Sequence, residues 1–304
     1  MGELIPMYYL VYGLLYGISL LPTWLLYRFS DMIAFFLYSV IRYRRRVVMD
    51  NLLTVFPEKT LRQRRRIARQ FYRNFTDSFF EMVKLLSADD KWLDKHFVID
   101  NPEVMEGFAA QGRKIQLFLG HLFGWEVANL AMPRLTRFKF IVVYMPATSA
   151  TIERLLRRLR GRTGTVLLPA TRMQRAMFPY RNDVYALALV ADQSPSGPEN
   201  TYWLNFFGRP TAFIRGAEGG SRTGDTPAVF ARVYKSGRGC YRAELTTIAD
   251  QPARLPDGEL TLRYRDLLEA AIREQPASWL WSHKRWKFAW NETYAPYWID
   301  KPKS

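Results

Sequence analysis

The stretch Lys114–Leu130, KIQLFLGHLFGWEVANL, joins a strand pattern to a helix pattern through a histidine. Its apolar run Ile115–Leu119 is typical of a buried strand, and the residues from about Phe123 have the pattern of a helix. His121 follows the strand, and Glu126 lies five residues after it. Because neutral imidazole takes up a proton near pH 7, a histidine at this position is a candidate general base.

Glu126 is the expected acid partner of His121. Positions five apart in one helix lie about 140° apart around its axis, so the pairing requires His121 on the loop and Glu126 in the helix. A carboxylate on the second ring nitrogen would fix the tautomer and stabilise the imidazolium. The same residues also suit a capping or core histidine and a solvated helix glutamate, and the spacing alone does not decide between the two interpretations.

The composition indicates an anionic partner and excludes a disulfide framework. The chain has 304 residues, a formal net charge of +16 and 15% aromatic residues, which is typical of proteins that meet a phospholipid surface, nucleic acid or an acidic carrier. Cys240 is its one cysteine, so no intrachain disulfide forms. The three histidines are not spaced with cysteines or acids as metal ligands, and we expect no metal site.

The N-terminal region predicts a membrane anchor. Leu4–Tyr27 has no charged side chain and is longer than the roughly 20 residues that span a hydrocarbon core. Met32–Ile41 is too short to span and suits an interfacial or re-entrant helix, with Pro22 as a break between the two runs. Without a basic start or a small-residue cleavage site, a cleaved signal peptide is not expected. A buried helical hairpin is the alternative.

Arginines follow the anchor. The run RYRRR at Arg42–Arg46 is typical of the cytoplasmic side of a membrane segment and suits anionic headgroups. The next segment has helical spacing of apolar residues, and its opposite face predicts a contact with lipid phosphate or, alternatively, a solvated basic surface. That basic face consists of Arg62, Arg65, Arg66, Arg69 and Arg73.

From about residue 97 the chain alternates between strand and helix patterns, which predicts an α/β fold with a mixed sheet and helices on both faces. We therefore divide the chain into an anchor, 1–45, and a catalytic domain, 46–304. The predicted strands are Ile115–Leu119, Phe140–Tyr144, Val166–Leu168, Val184–Ala191, Ala228–Val233 and Tyr241–Thr246. The predicted helices are Glu103–Gln111, Gly124–Met132, Ser149–Arg160, Thr171–Tyr180, Ala212–Arg222 and Leu260–Glu274.

Three stretches carry a family resemblance. They are the Gly120-His121-x4-Glu126 element, Ala191–Pro195 (ADQSP) followed by Phe206–Gly208 (FFG), and Trp279–Lys287 (WLWSHKRWK). In this order they resemble the late acyltransferases of lipid A biosynthesis, which are membrane-bound and add secondary acyl chains to lipid A precursors. The HX4E element alone is modestly specific, because glycerolipid acyltransferases have a similar HX4D element. The resemblance covers nearly the whole chain.

The resemblance implies a glycerolipid-acyltransferase-like α/β domain behind one N-terminal membrane helix. It implies acyl transfer from an acyl carrier protein thioester to a hydroxyl of a glycolipid acceptor, with no cofactor and no covalent acyl-enzyme. His121 matches the family's catalytic histidine, and Glu126 matches its acidic partner. Backbone N–H groups near Phe123–Gly124, at the start of the helix, are candidate donors to the oxyanion.

Further candidates lie around this pair. Asp192 and Gln193 follow a buried strand and would line the acceptor pocket or hold an arginine, unless Asp192 only caps the turn. His283 and Arg285 are candidate phosphate or headgroup contacts, in a segment whose tryptophans would otherwise be packing or an interfacial belt. His283 has cationic neighbours in the sequence and is therefore a poor candidate for the base.

One position departs from the family pattern. The strand after the catalytic helix ends in Val-Tyr-Met-Pro, with Met145 where the family has an arginine or lysine. The missing cation bears on how a phosphate of the acceptor would be recognised. Arg172 and Arg175 are the candidate replacements.

The resemblance places the protein at the bacterial inner membrane with its catalytic domain on the cytoplasmic side. Its expected partners are acyl carrier protein, a glycolipid acceptor and membrane lipids. Acyl carrier protein and coenzyme A are both anionic, so the charge suits either thioester donor. The alternatives are a related acyltransferase acting on another glycolipid, an aminolipid or a lysophospholipid, and a non-catalytic basic protein that binds membranes or nucleic acid. The basic residues match no nucleic-acid-binding motif, so nucleic acid is not expected.

Overall fold

The predicted strand Ile115–Leu119 is the central strand of a seven-stranded mixed sheet in a computed structural model that describes residues 4–300. The order across this sheet is β1-β9-β8-β2-β5-β3-β4, and a separate hairpin is formed by β6 and β7. The strands are β1 (Phe97–Ile99), β2 (Ile115–Leu119), β3 (Lys139–Tyr144), β4 (Val166–Pro169), β5 (Tyr185–Val190), β6 (Tyr202–Phe206), β7 (Arg209–Phe213), β8 (Ala228–Gly237) and β9 (Cys240–Ala249).

The described helices precede and separate the strands. They are α1 (Leu4–Ser19), α2 (Thr23–Phe35), α3 (Arg45–Val55), α4 (Leu61–Lys84), α5 (Asp90–His96), α6 (Glu103–Ala110), α7 (Trp125–Leu135), α8 (Ala150–Arg160), α9 (Met173–Met177), α10 (Gly216–Thr223) and α11 (Glu259–Glu274). A π-helical segment, Phe36–Val40, continues α2. The long helix α4 begins with a capping box between Thr60 and Gln63, which satisfies two backbone donors at its first turn.

Helices cover both faces of the sheet, as the alternation predicted. Successive side chains of a strand point to opposite faces, and in β2 Phe118 joins one buried cluster while Leu117 joins another. The first cluster contains Leu268 of α11. The second contains Val127 of α7 and Leu93 of α5. The α/β class with a mixed, two-sided sheet is therefore confirmed.

The N-terminal apolar run is not one continuous helix. It is broken between Ser19 and Thr23, where Pro22 begins the second helix with an extended backbone. Among the described residues no single helix is long and apolar enough to cross a bilayer. Pro6–Ser19 and Thr23–Val40 meet that requirement only as a pair, and the two are bent by 111°.

The first two helices pack against the rest of the chain through polar contacts. On α2, the Tyr27 hydroxyl donates to Glu81 at 3.0 Å, and Ser30 donates to Asp77 at 2.7 Å. On α8, the guanidinium groups of Arg154 and Arg158 lie over tyrosine rings of α1. These contacts fix the direction of the N-terminal helices relative to the sheet.

All six predicted strands occur, but four segments differ from the prediction. Strand β1 and the hairpin of β6 and β7 were not predicted, and the predicted helix Ala212–Arg222 begins only at Gly216 because Ala212 and Phe213 complete β7. The predicted helix Thr171–Tyr180 is divided into short 3-10 and α-helical turns. Pro179 lies within that segment, and proline removes a backbone donor.

Parallel pairing brings two chain segments to one edge of the sheet. β2 pairs in parallel with β5, with Leu119 opposite Val190. Their carboxyl ends therefore lie side by side, and each strand leads within two residues to a polar side chain, His121 after β2 and Asp192 after β5.

Candidate active site

The carboxylate on the His121 ring belongs to Asp192. The ring Nδ1 lies 2.5 Å from Asp192 Oδ1, and the backbone N–H of His121 donates to Oδ2 at 2.8 Å. Asp192 thus holds both the ring and the main chain of the histidine. Because Nδ1 faces a carboxylate, we assign the proton of neutral His121 to Nδ1, which leaves the lone pair of Nε2 free to take up a proton.

Asp192 is held as a buried anion. Its side chain is 1% exposed, and the Trp279 indole donates to Oδ2 at 2.6 Å. Burial alone would raise the pKa of Asp192, but the charge of His121 and the hydrogen bonds from His121 and Trp279 lower it to about 2. The carboxylate therefore stays ionised at neutral pH. The His121 side chain keeps 23% of its surface exposed, so a substrate can reach it.

The expected pairing of Glu126 with His121 is wrong in this geometry. The Glu126 carboxylate binds the Arg160 guanidinium, with Nε donating to Oε2 at 3.0 Å and a second hydrogen bond to Oε1. The Trp125 indole also donates to Oε1, at 3.3 Å. The physical reason lies in the helix: Glu126 is in the first turn of α7, where its side chain, 10% exposed, turns towards α8. Asp192 takes the place that Glu126 was expected to fill.

Two glycines allow the histidine loop its close packing. A Cβ at Gly120 would lie 2.5 Å from a Leu268 methyl group and 3.5 Å from Asp192 Oδ2. Gly124, which begins α7, has φ of 104°, and a Cβ there would lie 2.5–2.8 Å from the Tyr241 ring. Any side chain at either position would push the loop away from the core.

The C-terminal segment lies along the histidine loop. Trp279 forms an antiparallel bridge with Leu122, and the backbone N–H of Leu280 donates to the His121 carbonyl at 3.1 Å. The backbone N–H of Phe123 donates to the Ser278 carbonyl at 2.9 Å. Phe123 is therefore not a free oxyanion donor, which corrects half of the expectation for Phe123–Gly124.

His283 and Gln193 lie beside this pair. The His283 Nε2 accepts a hydrogen bond from the backbone N–H of Ser194 at 3.1 Å. Burial, followed by the charge of Arg285, lowers the pKa of His283 to about 4, so the ring is neutral at physiological pH. His283 thus anchors the loop that follows Asp192. Gln193 is half-buried on that loop, and its proposed contact with the acceptor stays a prediction.

Arg285 is buried and cannot contact a lipid headgroup. The side chain is 2% exposed, and its guanidinium lies over the Phe213 ring, 4.3 Å from the centroid. The expectation that Arg285 contacts phosphate is therefore wrong for this structure. Tryptophans and phenylalanines of the buried cluster surround the segment and leave Lys284 and Lys287 as its exposed cations.

Arg172 and Arg175 follow the edge strand β4 rather than the histidine strand. Both are exposed, and β4 is three strands away from β2, or about 14 Å at the usual strand spacing. The sheet order thus separates them from His121. Met145 is 70% exposed, and the preceding Tyr144 hydroxyl donates to Glu153. Neither arginine replaces a cation beside the imidazole.

An apolar cavity adjoins the histidine. It has a volume of about 220 Å³, and the Trp125 ring in its wall lies 6.1 Å from the His121 ring. Aromatic and aliphatic side chains of α4 and α7 form most of its surface. The lining residues are Phe75, Ser78, Phe79, Glu81, Met82, Gly124, Trp125, Glu126, Val127 and Leu280.

His121 is held by Asp192 at the carboxyl ends of two parallel strands, next to an apolar cavity. This arrangement suits transfer of an apolar group. A family model described as "Bacterial lipid A biosynthesis acyltransferase" matches residues 3–288. The chain belongs to this family. No curated protein matches the chain in a sequence search. The family membership confirms the resemblance found in the sequence and makes the protein an acyltransferase of lipid A biosynthesis.

Proposed function

We propose that this acyltransferase moves a fatty acyl chain from an acyl thioester to a hydroxyl of a lipid A precursor, with His121 as the general base. The observation that carries the proposal is the contact between His121 and the buried, ionised Asp192, beside an apolar cavity. Glu126 acts with Arg160 as a second pair that holds the loop in place. His121 and Asp192 thus carry the proposed chemistry, and Glu126 and Arg160 support it.

In the proposed reaction, His121 Nε2 removes the proton of the acceptor hydroxyl as its oxygen attacks the thioester carbonyl. The new ester C–O bond forms and the C–S bond breaks. The leaving thiolate then receives from the imidazolium the proton that came from the acceptor hydroxyl. Asp192 keeps the ring in the correct tautomer and stabilises the imidazolium between the two transfers. A positioned base of this kind contributes roughly 10²–10⁴ in rate.

The oxyanion formed at the thioester carbonyl requires nearby donors. The first turn of α7 begins at Trp125, directly after Gly124, and backbone N–H groups at a helix N-terminus favour negative charge. We assign Gly124 and Trp125 as the candidate donors, since the N–H of Phe123 is already bound to Ser278. Loss of one such donor typically costs about 2.7–4 kcal/mol of transition-state stabilisation.

The apolar cavity is the proposed site of the acyl chain. Its walls are mostly apolar, and the Trp125 ring in its wall lies 6.1 Å from the His121 ring. Each methylene group buried there contributes about 0.8 kcal/mol to binding. Acyl carrier protein is the proposed donor partner, with acyl coenzyme A as the alternative. For the acceptor, another glycolipid, an aminolipid or a lysophospholipid is the alternative to a lipid A precursor.

Membrane association is the second part of the proposal. Most of the exposed large apolar side chains of the described residues lie between residues 7 and 43. They are followed by the exposed arginines of α4, including Arg62, Arg65 and Arg66. Apolar side chains next to a basic surface suit a membrane containing anionic lipids. We place the protein at the inner membrane with its catalytic domain on the cytoplasmic side.

The test of catalysis compares two histidine variants. His121→Ala should lower transfer of a dodecanoyl chain from its acyl carrier protein thioester to a lipid A precursor by roughly 10²–10⁴, measured by mass spectrometry of the product. His96→Ala is the matched control, because His96 stacks on Trp92 in α5 and takes no part in the site. Near-normal transfer by the His121 variant would overturn the assignment.

The test of membrane association uses the full chain and lipid vesicles. Flotation with phosphatidylglycerol vesicles should recover the protein, and replacing Arg62, Arg65 and Arg66 by glutamine should weaken recovery on these vesicles. Recovery on neutral phosphatidylcholine vesicles, which depends on the apolar side chains, should change little. If the unmodified protein and the glutamine variant are recovered equally on both kinds of vesicle at low salt, the arginines do not contribute to membrane binding.

A further inference from the structure

Arg285 is a buried arginine without a carboxylate partner. Its NH1 donates to the Ala212 carbonyl at 3.0 Å, whereas Nε and NH2 have no hydrogen-bond partner among the residues that the structure describes. The guanidinium is enclosed by the rings of Phe213 and Phe206, at 4.3 and 5.5 Å from their centroids. Burial of an unpaired charge is costly, so its presence here calls for a functional reason.

The enclosing aromatic cluster connects Arg285 to the catalytic pair. The Phe206 ring also contacts the Trp279 ring, with centroids 5.9 Å apart, and the Trp279 indole donates to Asp192. The backbone carbonyl of Arg285 accepts from the Ser194 hydroxyl at 2.7 Å, two residues beyond Asp192. Charge on Arg285 therefore acts on Asp192 across a layer of buried aromatic side chains.

Five titratable or charged groups face this region from the surrounding elements. Asp192 comes from the end of β5, His121 from the end of β2, and Tyr264 from α11, where its hydroxyl donates to the Leu119 carbonyl. His283 precedes Arg285 by two residues. Burial lowers the pKa of His283 most, the charges of Arg285 and His121 lower it further, and the charge of Asp192 raises it. Arg44 reaches the Ser282 carbonyl from outside. Among these groups, Asp192 is the one with an opposite charge.

The balance of charge determines which form of His121 is favoured at rest. With Arg285 present, the buried guanidinium, the buried carboxylate and the partly exposed neutral imidazole together have no net charge. Without Arg285, the same neutrality is reached only when His121 carries the proton, as an imidazolium against Asp192. In a low-dielectric interior the neutral combination is strongly preferred.

We propose that Arg285 is a positioning residue that keeps His121 unprotonated, and so able to act as a base, by supplying the counter-charge for Asp192. This inference rests on the proposed role of His121. It is distinct from the headgroup contact expected from the sequence, because the guanidinium acts from inside the protein and touches no substrate.

The test measures protonation without using a substrate. Histidine-labelled protein in nanodiscs is titrated by NMR, and with three histidines in the chain the signals are assigned by single replacements. In Arg285→Met, which keeps the volume but removes the charge, the His121 signal should titrate about one pH unit or more higher than in the unmodified protein. Arg285→Lys, which keeps the charge, should titrate as the unmodified protein does.

The pH dependence of activity gives a second measurement. The acid limb of the kcat/KM profile should move to higher pH in Arg285→Met, so that activity lost near pH 6–7 is recovered at alkaline pH. Arg265→Met is the matched control, because Arg265 is also buried but is paired with Asp300 at 2.9 Å. That variant should lose stability and leave the profile in place.

The outcomes separate the inference from the proposed function. Unchanged titration of His121 in a folded Arg285→Met protein overturns the role of Arg285, whatever the activity. Should the Met variant not fold, a raised titration in Arg285→Lys, where the charge is retained, overturns it equally. A shifted titration in a protein that transfers no acyl chain, even before mutation, would support the charge balance and refute the proposed function.

Discussion

The carboxylate of Glu126 binds the Arg160 guanidinium through both oxygens, and this pair fastens the first turn of α7 to the last residue of α8. The two side chains are 10% and 20% exposed. The histidine loop precedes α7 directly, so the ion pair holds the end of the loop that joins the helix. The pair thus supports the loop from the helix side, whereas Asp192 contacts His121, the proposed base.

Removal of one partner should therefore be more harmful than removal of both. Glu126→Ala leaves the Arg160 charge largely buried without its partner and should cost about 3 kcal/mol of stability. The double variant Glu126→Leu, Arg160→Met should regain most of that loss, since neither charge then remains. Denaturant unfolding of Glu126→Leu, Arg160→Met and the double variant, compared as a double-mutant cycle, measures this coupling. Additive losses would show that the pair does not act as a unit.

Asp192→Asn should abolish most of the activity while the protein stays folded. An amide cannot hold the imidazole in the same tautomer or stabilise the imidazolium, and in a comparable catalytic triad this change lowers kcat by about 10⁴. We expect a fall of roughly 10³–10⁴ in kcat with little change in KM. Asp257→Asn is the control, as Asp257 forms exposed ion pairs with Arg215 and Arg222. A loss confined to KM would argue for acceptor binding by Asp192 instead.

The stability of the fold should decrease on acidification from pH 6.5 towards pH 4 because of His283. Burial, with the charge of Arg285, lowers the pKa of His283 from 6.5 to about 4. In that window the unfolded chain binds a proton that the folded chain does not, so the free energy of unfolding falls as the pH falls. After allowance for solvent screening of this partly exposed ring, the effect is about 1–2 kcal/mol.

The measurement is the pH dependence of denaturant unfolding in His283→Gln. Glutamine retains an acceptor for the Ser194 N–H but has no proton to bind, so the variant should show a smaller slope between pH 4 and 6.5. Asp192, whose pKa is lowered from 3.8 to about 2, adds its own slope below about pH 5. Because Asp192 is present in both proteins, the difference between their slopes reports on His283. An unchanged slope would mean that His283 titrates alike in both states.

The six main strands were predictable because each is a short, buried apolar run, and buried runs are read directly from hydrophobicity. Strand β1 has only three residues, and the hairpin of β6 and β7 contains Pro210 and Gly208, which read as turns. Those segments are strands because tertiary packing buries Trp203, Phe206 and Phe213. Local strand propensity does not include tertiary packing, so it does not predict these strands.

The site shows the same division between local pattern and long-range contact. His121 was found from its place after a strand, whereas its partner Asp192 is 71 residues away and was assigned another role. The signal was present, since both residues follow buried runs, but the parallel pairing of β2 with β5 was needed to join them. Trp279 and Arg160 were not predicted as site residues, because nothing near them in the sequence indicates a carboxylate partner.

The apolar cavity gives a prediction about chain length. Ser78 lies in its wall on α4, and its hydroxyl is bound to the Phe75 carbonyl of its own helix at 2.7 Å. Ser78→Phe should fill part of the cavity and displace the end of a long acyl chain. Each methylene that can no longer be buried costs about 0.8 kcal/mol, or about fourfold in kcat/KM. Transfer of tetradecanoyl and dodecanoyl thioesters should therefore fall much more than transfer of an octanoyl thioester.

A matched change on the same helix controls for general effects on α4. Gln70→Phe adds the same ring at an exposed position in a separate polar cleft, and it should reduce transfer of all chain lengths equally or not at all. Competition assays with mixed thioesters, read by mass spectrometry of the product, give the ratio of kcat/KM values directly. If Ser78→Phe lowers transfer of all three chains by the same factor, the acyl chain binds elsewhere, because only a cavity that holds the distal methylenes can discriminate by length.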